Sequence, residues 1–333
     1  MEIIVAYFHP LLNPDTVARD FDEISLAGAH AVLCALHEQD VQRWPKDLER
    51  GFSLAHEMGL KLYVSLSRHG GIFNGPQLIP SWYPFRNPGT RLVDQHGHSY
   101  DQCCVNQESF RNWLFREVHR YLSNYPIDGV LLDEPQNTFI TCFCSTCHAL
   151  CPDIMDRQRF HRQSIVSFLS DLCALIKHSG PASNGQPRKT MLLAPMNDLR
   201  LLDDCAGIPT LDSIGLAPTW QHPRVDLEQI QQALYCLQEL AQLSTKQRQL
   251  WIQNYCLQSE QQASLDGAFE AASKGQPDQL GCFYYWRNNE APEAVWRQTR
   301  AALRRFSGRQ LLWPVVTQPL PRIRRDNLFI WKK

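Results

Sequence analysis

A chain of 333 residues with 44% apolar and 20% charged residues has the composition of a soluble globular protein and the length of a single α/β barrel. Its formal net charge is −1, so no global field attracts nucleic acid or anionic lipid, and recognition is local, directed at a small or neutral molecule. No stretch approaches the ~18 apolar residues of a membrane span, and Met1-Glu2-Ile3-Ile4-Val5-Ala6-Tyr7-Phe8 lacks the basic region of a secretory leader, which predicts a cytoplasmic protein.

In chain order, short β-branched or apolar runs alternate with helical patterns, the signature of βα units around a parallel sheet. The first run is Ile3 to Phe8, followed by a helix over about 15–28. The second is Ala31 to Leu36, with a helix over 41–59; the third, Lys61 to Leu66, closes on Ser67-Arg68-His69-Gly70-Gly71. A Pro-, Gly- and aromatic-rich stretch then runs from Ile72 to about Asn106, and an irregular segment of that length is usually functional. A helix over 107–124 leads to the fourth strand, Asp128 to Asp133. Strands five to eight are read at 189–194, 211–216, 249–255 and 280–286, with helices at about 157–176, 226–243, 260–274 and 292–306. Val130-Leu131-Leu132 is apolar on both faces, as a strand covered on both sides must be. The pattern predicts a single-domain (β/α)8 TIM barrel over 1–306. The basic tail 307–333 either packs across the barrel's outside or mediates self-association as a homo-oligomer. A doubly wound open sheet fits less well, because His9-Pro10-Leu11-Leu12-Asn13 offers no glycine-rich phosphate turn.

Barrel chemistry sits where strands end and βα loops begin. Strand four ends in Asp133-Glu134-Pro135, two carboxylates after an apolar run, with Pro135 stopping the ladder. A carboxyl group at an apolar lip loses hydration, which raises its pKa and suits it to donate a proton near neutrality. Glu134 is the expected proton donor, and Asp133 orients it, binds substrate or acts as nucleophile. A capping Asp followed by a solvated Glu is the plainer alternative.

Of twelve cysteines, six (Cys34, Cys173, Cys205, Cys236, Cys256 and Cys282) are scattered singly, as small buried hydrophobes are. Cys142-Phe143-Cys144-Ser145-Thr146-Cys147 differs: a C-x-C-x2-C run presents three thiolates in one loop, and a fourth from elsewhere closes a tetrahedron, as a structural zinc requires. Cys103, Cys104 and Cys151 stand near, and an iron–sulfur cluster would use the same ligands.

The segment from Leu92 to Cys147 resembles the family 42 glycoside hydrolases, barrel enzymes best known as β-galactosidases. The resemblance rests on Val93-Asp94-Gln95-His96-Gly97, on Cys104-Val105-Asn106-Gln107-Glu108-Ser109-Phe110-Arg111, on Asp133-Glu134 where the family has Asn-Glu, and on Cys142, Cys144 and Cys147. Strand eight, Phe283-Tyr284-Tyr285-Trp286-Arg287, is similar to the family's aromatic-Trp-Arg strand. The resemblance implies that Glu134 is the acid/base, that Cys104 rather than Cys103 is the fourth zinc ligand, and that Cys151 is free. Two departures stand out. Asp133 replaces the family's Asn, and Gln253 stands on strand seven where a nucleophilic Glu is expected; the nearest acid, Glu260, begins the next helix.

Glu38, Trp220, Gln253 and Trp286 are further candidates for the barrel mouth, since indole faces stack on sugar rings while Glu and Gln hydrogen-bond hydroxyls. The expectation is a glycoside hydrolase-like protein acting on a small cytosolic glycoside or oligosaccharide. A non-catalytic sugar-binding barrel with a structural zinc is the alternative that Gln253 motivates.

Overall fold

The computed structural model describes residues 1–75, 79–135, 140–196, 198–221, 224–285 and 289–307. Its strands are β1 (Glu2–Tyr7), β2 (Ala31–Ala35), β3 (Lys61–Ser65), β4 (Arg91–Val93), β5 (Ser99–Cys103), β6 (Gly129–Asp133), β7 (Lys189–Ala194), β8 (Ser213–Leu216), β9 (Gln247–Gln253) and β10 (Gln279–Phe283). The helices are α1 (Pro14–Leu26), α2 (Glu38–Arg43), α3 (Pro45–Glu57), α4 (Tyr83–Arg86), α5 (Glu108–Asn124), α6 (Ser145–Leu150), α7 (Arg157–His178), α8 (Leu199–Ala206), α9 (Glu228–Leu243), α10 (Ser259–Gln262), α11 (Leu265–Lys274) and α12 (Pro292–Phe306).

Eight strands close into a parallel barrel in the order β1-β10-β9-β8-β7-β6-β3-β2, so the expected (β/α)8 barrel is present. β6, β9 and β10 are its fourth, seventh and eighth strands. β4 and β5 form a separate antiparallel hairpin inside the insertion that follows β3; the sequence shows no strand pattern there, because three- and five-residue strands are too short to show a period. The eight residues of α8 are likewise too few to stand out as a helical period in the sequence.

Strand alternation builds two apolar layers. Ile4, Ala6, Leu33, Tyr63, Leu131, Leu193, Trp251 and Phe283 fill the barrel, while Val130, Leu132, Leu250 and Ile252 pack outward against the helices. Leu131 points inward, so Asp133, two residues on, does too. A Cβ on Gly281 would lie 2.1 Å from the Trp251 indole, which explains a glycine in the middle of a strand. Trp286 and the tail beyond Ser307 fall outside the described residues. No described helix is long and apolar enough to cross a membrane.

The closed end of the barrel is polar. Glu2 accepts hydrogen bonds from Lys61 (2.8 Å), Tyr63 (2.8 Å), Lys189 (2.9 Å) and Gln279. Burial works against its charge, but Lys189 and the hydrogen bonds from Lys61, Gln279 and Lys189 outweigh it and hold the carboxyl at about 2. A folded-state pKa below the unfolded one contributes stability above the unfolded value and loses it as pH falls toward 2. Glu2→Gln is therefore expected to lower unfolding stability by about 2–3 kcal/mol near neutral pH. The loss should shrink in denaturant titrations carried down through pH 4 to 2.

Candidate functional site

Register places the carboxyl pair. Asp133 pairs with Leu193 as the last residue of β6, and the Glu134 N–H donates to the Leu193 carbonyl at 2.9 Å, carrying the ladder one residue further. Glu134 adopts φ +36°, a left-handed conformation uncommon outside glycine that it shares here with Arg68, Cys256 and Gln276. That kink breaks strict alternation, so the second carboxylate is not forced to point away from the first.

Asp133 is 4% exposed. Burial pushes its carboxyl well above the usual range, and the charge of Glu134 adds to the rise. Glu134 is half-buried; burial raises it too, offset in part by a hydrogen bond from Asn74. The Asn74 amide donates to Glu134 Oε2 at 3.0 Å, and its backbone N–H donates to the Asp133 carbonyl at 2.8 Å. Two carboxyl groups this close and this dehydrated resist losing both protons. The pair can therefore hold a proton at a pH where exposed carboxylates are ionised.

Tyr255, two residues past the end of β9, feels the same pair. Its pKa is pushed to about 12 by burial, then by the charges of Cys256, Glu134 and Asp133. Its ring lies 4.9 Å from that of Tyr284, which lies 4.8 Å from Phe8, while Phe283 stacks on Trp251 at 4.4 Å. These aromatics form one wall beside the carboxyls. The sequence reading missed Tyr255, although the period-2 alternation that puts Gln253 inside carries Tyr255 to the same side.

The remaining candidates do different work. The Gln253 amide, at the end of β9, accepts from Gln221 Nε2 at 2.8 Å and donates to the Ala217 carbonyl at 3.4 Å. Trp220 is fully buried and donates its indole N–H to the Gln253 carbonyl at 2.9 Å; it packs in the outer apolar layer and offers no open face. Glu38 begins α2 at 4% exposure. Its carboxylate accepts from Ser81 Oγ and from the backbone N–H groups of Trp82 (2.9 Å), Tyr83 (3.2 Å) and Gly70 (3.4 Å), clamping the insertion. Glu260 is exposed on α10. Trp286 lies outside the described residues.

Cys104, Cys142, Cys144 and Cys147 come together, all buried, with their sulfurs within 4.8 Å of one another. Cys104 follows the β4–β5 hairpin, Cys142 and Cys144 lie in the loop after β6, and Cys147 is on α6. Tetrahedral Zn–S bonds of about 2.3 Å set sulfurs roughly 3.8 Å apart, and the Cys104 and Cys147 sulfurs are 3.4 Å apart. Amide donors already face the sulfurs: Asn106 N–H to Cys104 (3.4 Å), Asn106 Nδ2 to Cys147 (3.3 Å) and Gln107 Nε2 to Cys144 (3.6 Å). Such donors stabilise thiolate charge and orient ligands. The set can hold a metal ion. Cys103 instead meets Thr90 on the barrel side, and Cys151 donates to the Asp153 carbonyl.

No family model matches the chain, and no curated protein does. Its similarity is to solved glycoside hydrolase barrels. The β-galactosidase of Marinomonas ef1 is similar at TM-score 0.66 and 11% identity, over 92% of this chain and 59% of that one. The endo-β-1,4-mannanase of Thermotoga petrophila gives 0.58 and 11%, over 92% and 77%. The β-amylase catalytic domain of Paenibacillus polymyxa gives 0.58 and 8%, over 85% and 92%. At these identities the likeness is one of fold, and this chain spans little more than half of the β-galactosidase.

If the four thiolates hold a metal ion, substituting Cys142 or Cys104 by Ser is expected to abolish it, as measured by elemental mass spectrometry. Limited proteolysis should then cut within 87–106 and 140–151 while the barrel's far-ultraviolet circular dichroism persists.

Proposed function

We propose that the protein is a glycoside hydrolase-like barrel acting on a small glycoside or oligosaccharide, with Glu134 as general acid/base and Asp133 as its partner carboxyl. The observation that carries this reading is the dehydrated carboxyl pair on the fourth barrel strand, beside the aromatic wall of Tyr255, Tyr284 and Phe8. A protonated carboxyl there can give its proton to a glycosidic oxygen, and the aromatic faces suit the apolar side of a sugar ring. The likeness to β-galactosidase, mannanase and amylase barrels supports a carbohydrate substrate. The resemblance of residues 92–147 to family 42 favours that family's neighbourhood.

The four thiolates would hold zinc, closed to substrate and structural in role. All twelve cysteines are unpaired, in keeping with a reducing, cytoplasmic setting.

Gln253 favours a second reading. With an amide at the end of strand seven, bonded to Gln221 and Ala217, a double displacement through a strand-seven carboxylate is unavailable. Either Asp133 takes that part, or the barrel binds sugar without cleaving it.

A panel of nitrophenyl glycosides separates the two. Catalysis is expected, and Glu134→Gln should reduce kcat/KM about 100- to 10,000-fold; saturable binding with no turnover across the panel selects the binding barrel. Stability gives an independent sign. Carboxyls raised in the folded state lose stability as pH rises through their folded pKa. Asp133→Asn and Glu134→Gln should therefore melt no lower than the native protein at pH 7, with an advantage that grows from about pH 4 upward.

A further inference from the structure

The third barrel strand hands its loop to the end of the fourth at one point. Arg68 N–H donates to the Asn74 carbonyl (3.3 Å), Asn74 N–H to the Asp133 carbonyl (2.8 Å), and the Asn74 amide nitrogen to Glu134 Oε2 (3.0 Å). The orientation of that amide is fixed by its other end. Gly75 N–H donates to Asn74 Oδ1 at 2.9 Å, and a backbone N–H can only meet an oxygen, so the amide NH2 must face Glu134. Gly75 itself is required: its φ is +153°, and a Cβ would stand 2.0 Å from Ser67 Oγ. Asn74 is thus tied through its backbone N–H, its backbone carbonyl and both ends of its side chain.

From this geometry we infer that Asn74 is the positioning residue of Glu134, holding Oε2 as a hydrogen-bond acceptor so that Oε1 is the oxygen that carries and transfers the proton. The inference deepens the reading of Glu134 as the acid/base and rests on it for its functional meaning. An N–H donor favours the charged form of a carboxyl, so Asn74 opposes the rise that burial imposes and keeps Glu134 able to release its proton. It also stops the carboxyl from rotating, which would exchange the two oxygens. Position 133, where an amide side chain could have stood beside Glu134 in sequence, holds the second carboxyl instead, and the amide arrives from the neighbouring strand's loop.

The test titrates Glu134 directly by carbon-13 NMR in full-length protein labelled at the glutamate δ-carbon, its resonance assigned by its disappearance in Glu134→Gln. Asn74→Asp keeps the side chain's shape but replaces the donor with an acceptor; Asn74→Ala removes the group and serves if the first variant fails to fold. In both, the Glu134 midpoint is expected to move upward, by about half a pH unit or more and further in Asn74→Asp. An unmoved or lowered midpoint in a folded variant overturns the inference. A residue that merely holds the loop would leave that midpoint in place. The NMR readout needs no substrate, so absence of glycoside hydrolysis would reject the proposed function without touching this result. Where turnover is found, the alkaline limb of kcat/KM should move with the NMR midpoint.

Discussion

Dehydration of two adjacent carboxyls is the constraint around which the open end of this barrel is arranged. Asp133 is inward because Leu131 is, and Leu131 is inward because the strand must feed the barrel's apolar interior. An ionised Asp133 in that position would be a buried charge with the Glu134 charge beside it, an arrangement that proteins relieve by retaining a proton. A fold that only needed stability would place an apolar residue at that site. A left-handed glutamate next to a buried aspartate is the local conflict on which the proposed acid/base role of Glu134 rests.

The cysteine cluster lies where two segments beside the carboxyl pair meet. The insertion after β3, with its β4–β5 hairpin, and the segment after β6 lie outside the barrel ladder. Cys104 belongs to the first, Cys142 and Cys144 to the second, and a shared metal would join them at one point. The same pair of segments carries Asn74 and Glu134. A backbone hydrogen bond from Phe143 to Val93 (2.7 Å) and the Glu38 clamp on residues 81–83 reinforce the connection. Fixing loops on a rigid barrel by a few strong local ties is how sub-ångström placement of a reacting group is secured.

Much of this was legible in the residues. All eight barrel strands stand within a few positions of their apolar runs, because strands covered on both faces write an unambiguous signal. The C-x-C-x2-C run announced its cluster, and the resemblance assigned Cys104 over Cys103 as the fourth member; a sequence alone gives two adjacent cysteines equal standing. Asn74 and Gly75 were hidden because a side chain that crosses from one strand's loop to another's leaves no periodic trace. Glu38 and Trp220 looked like mouth residues from their place after strands, yet one is consumed by a loop clamp and the other by packing. Side-chain destination depends on the insertion folded above β2 and β3, which strand patterns do not encode.

The central claim is that the Asp133–Glu134 pair still holds a proton when ordinary carboxylates have lost theirs. Difference infrared spectroscopy reads this directly, since a protonated carboxyl has its own carbonyl stretch. At about pH 6, well above ordinary carboxyl values, the native protein should show that band and the Asp133→Asn, Glu134→Gln double variant should lack it. A native spectrum without the band would contradict the account.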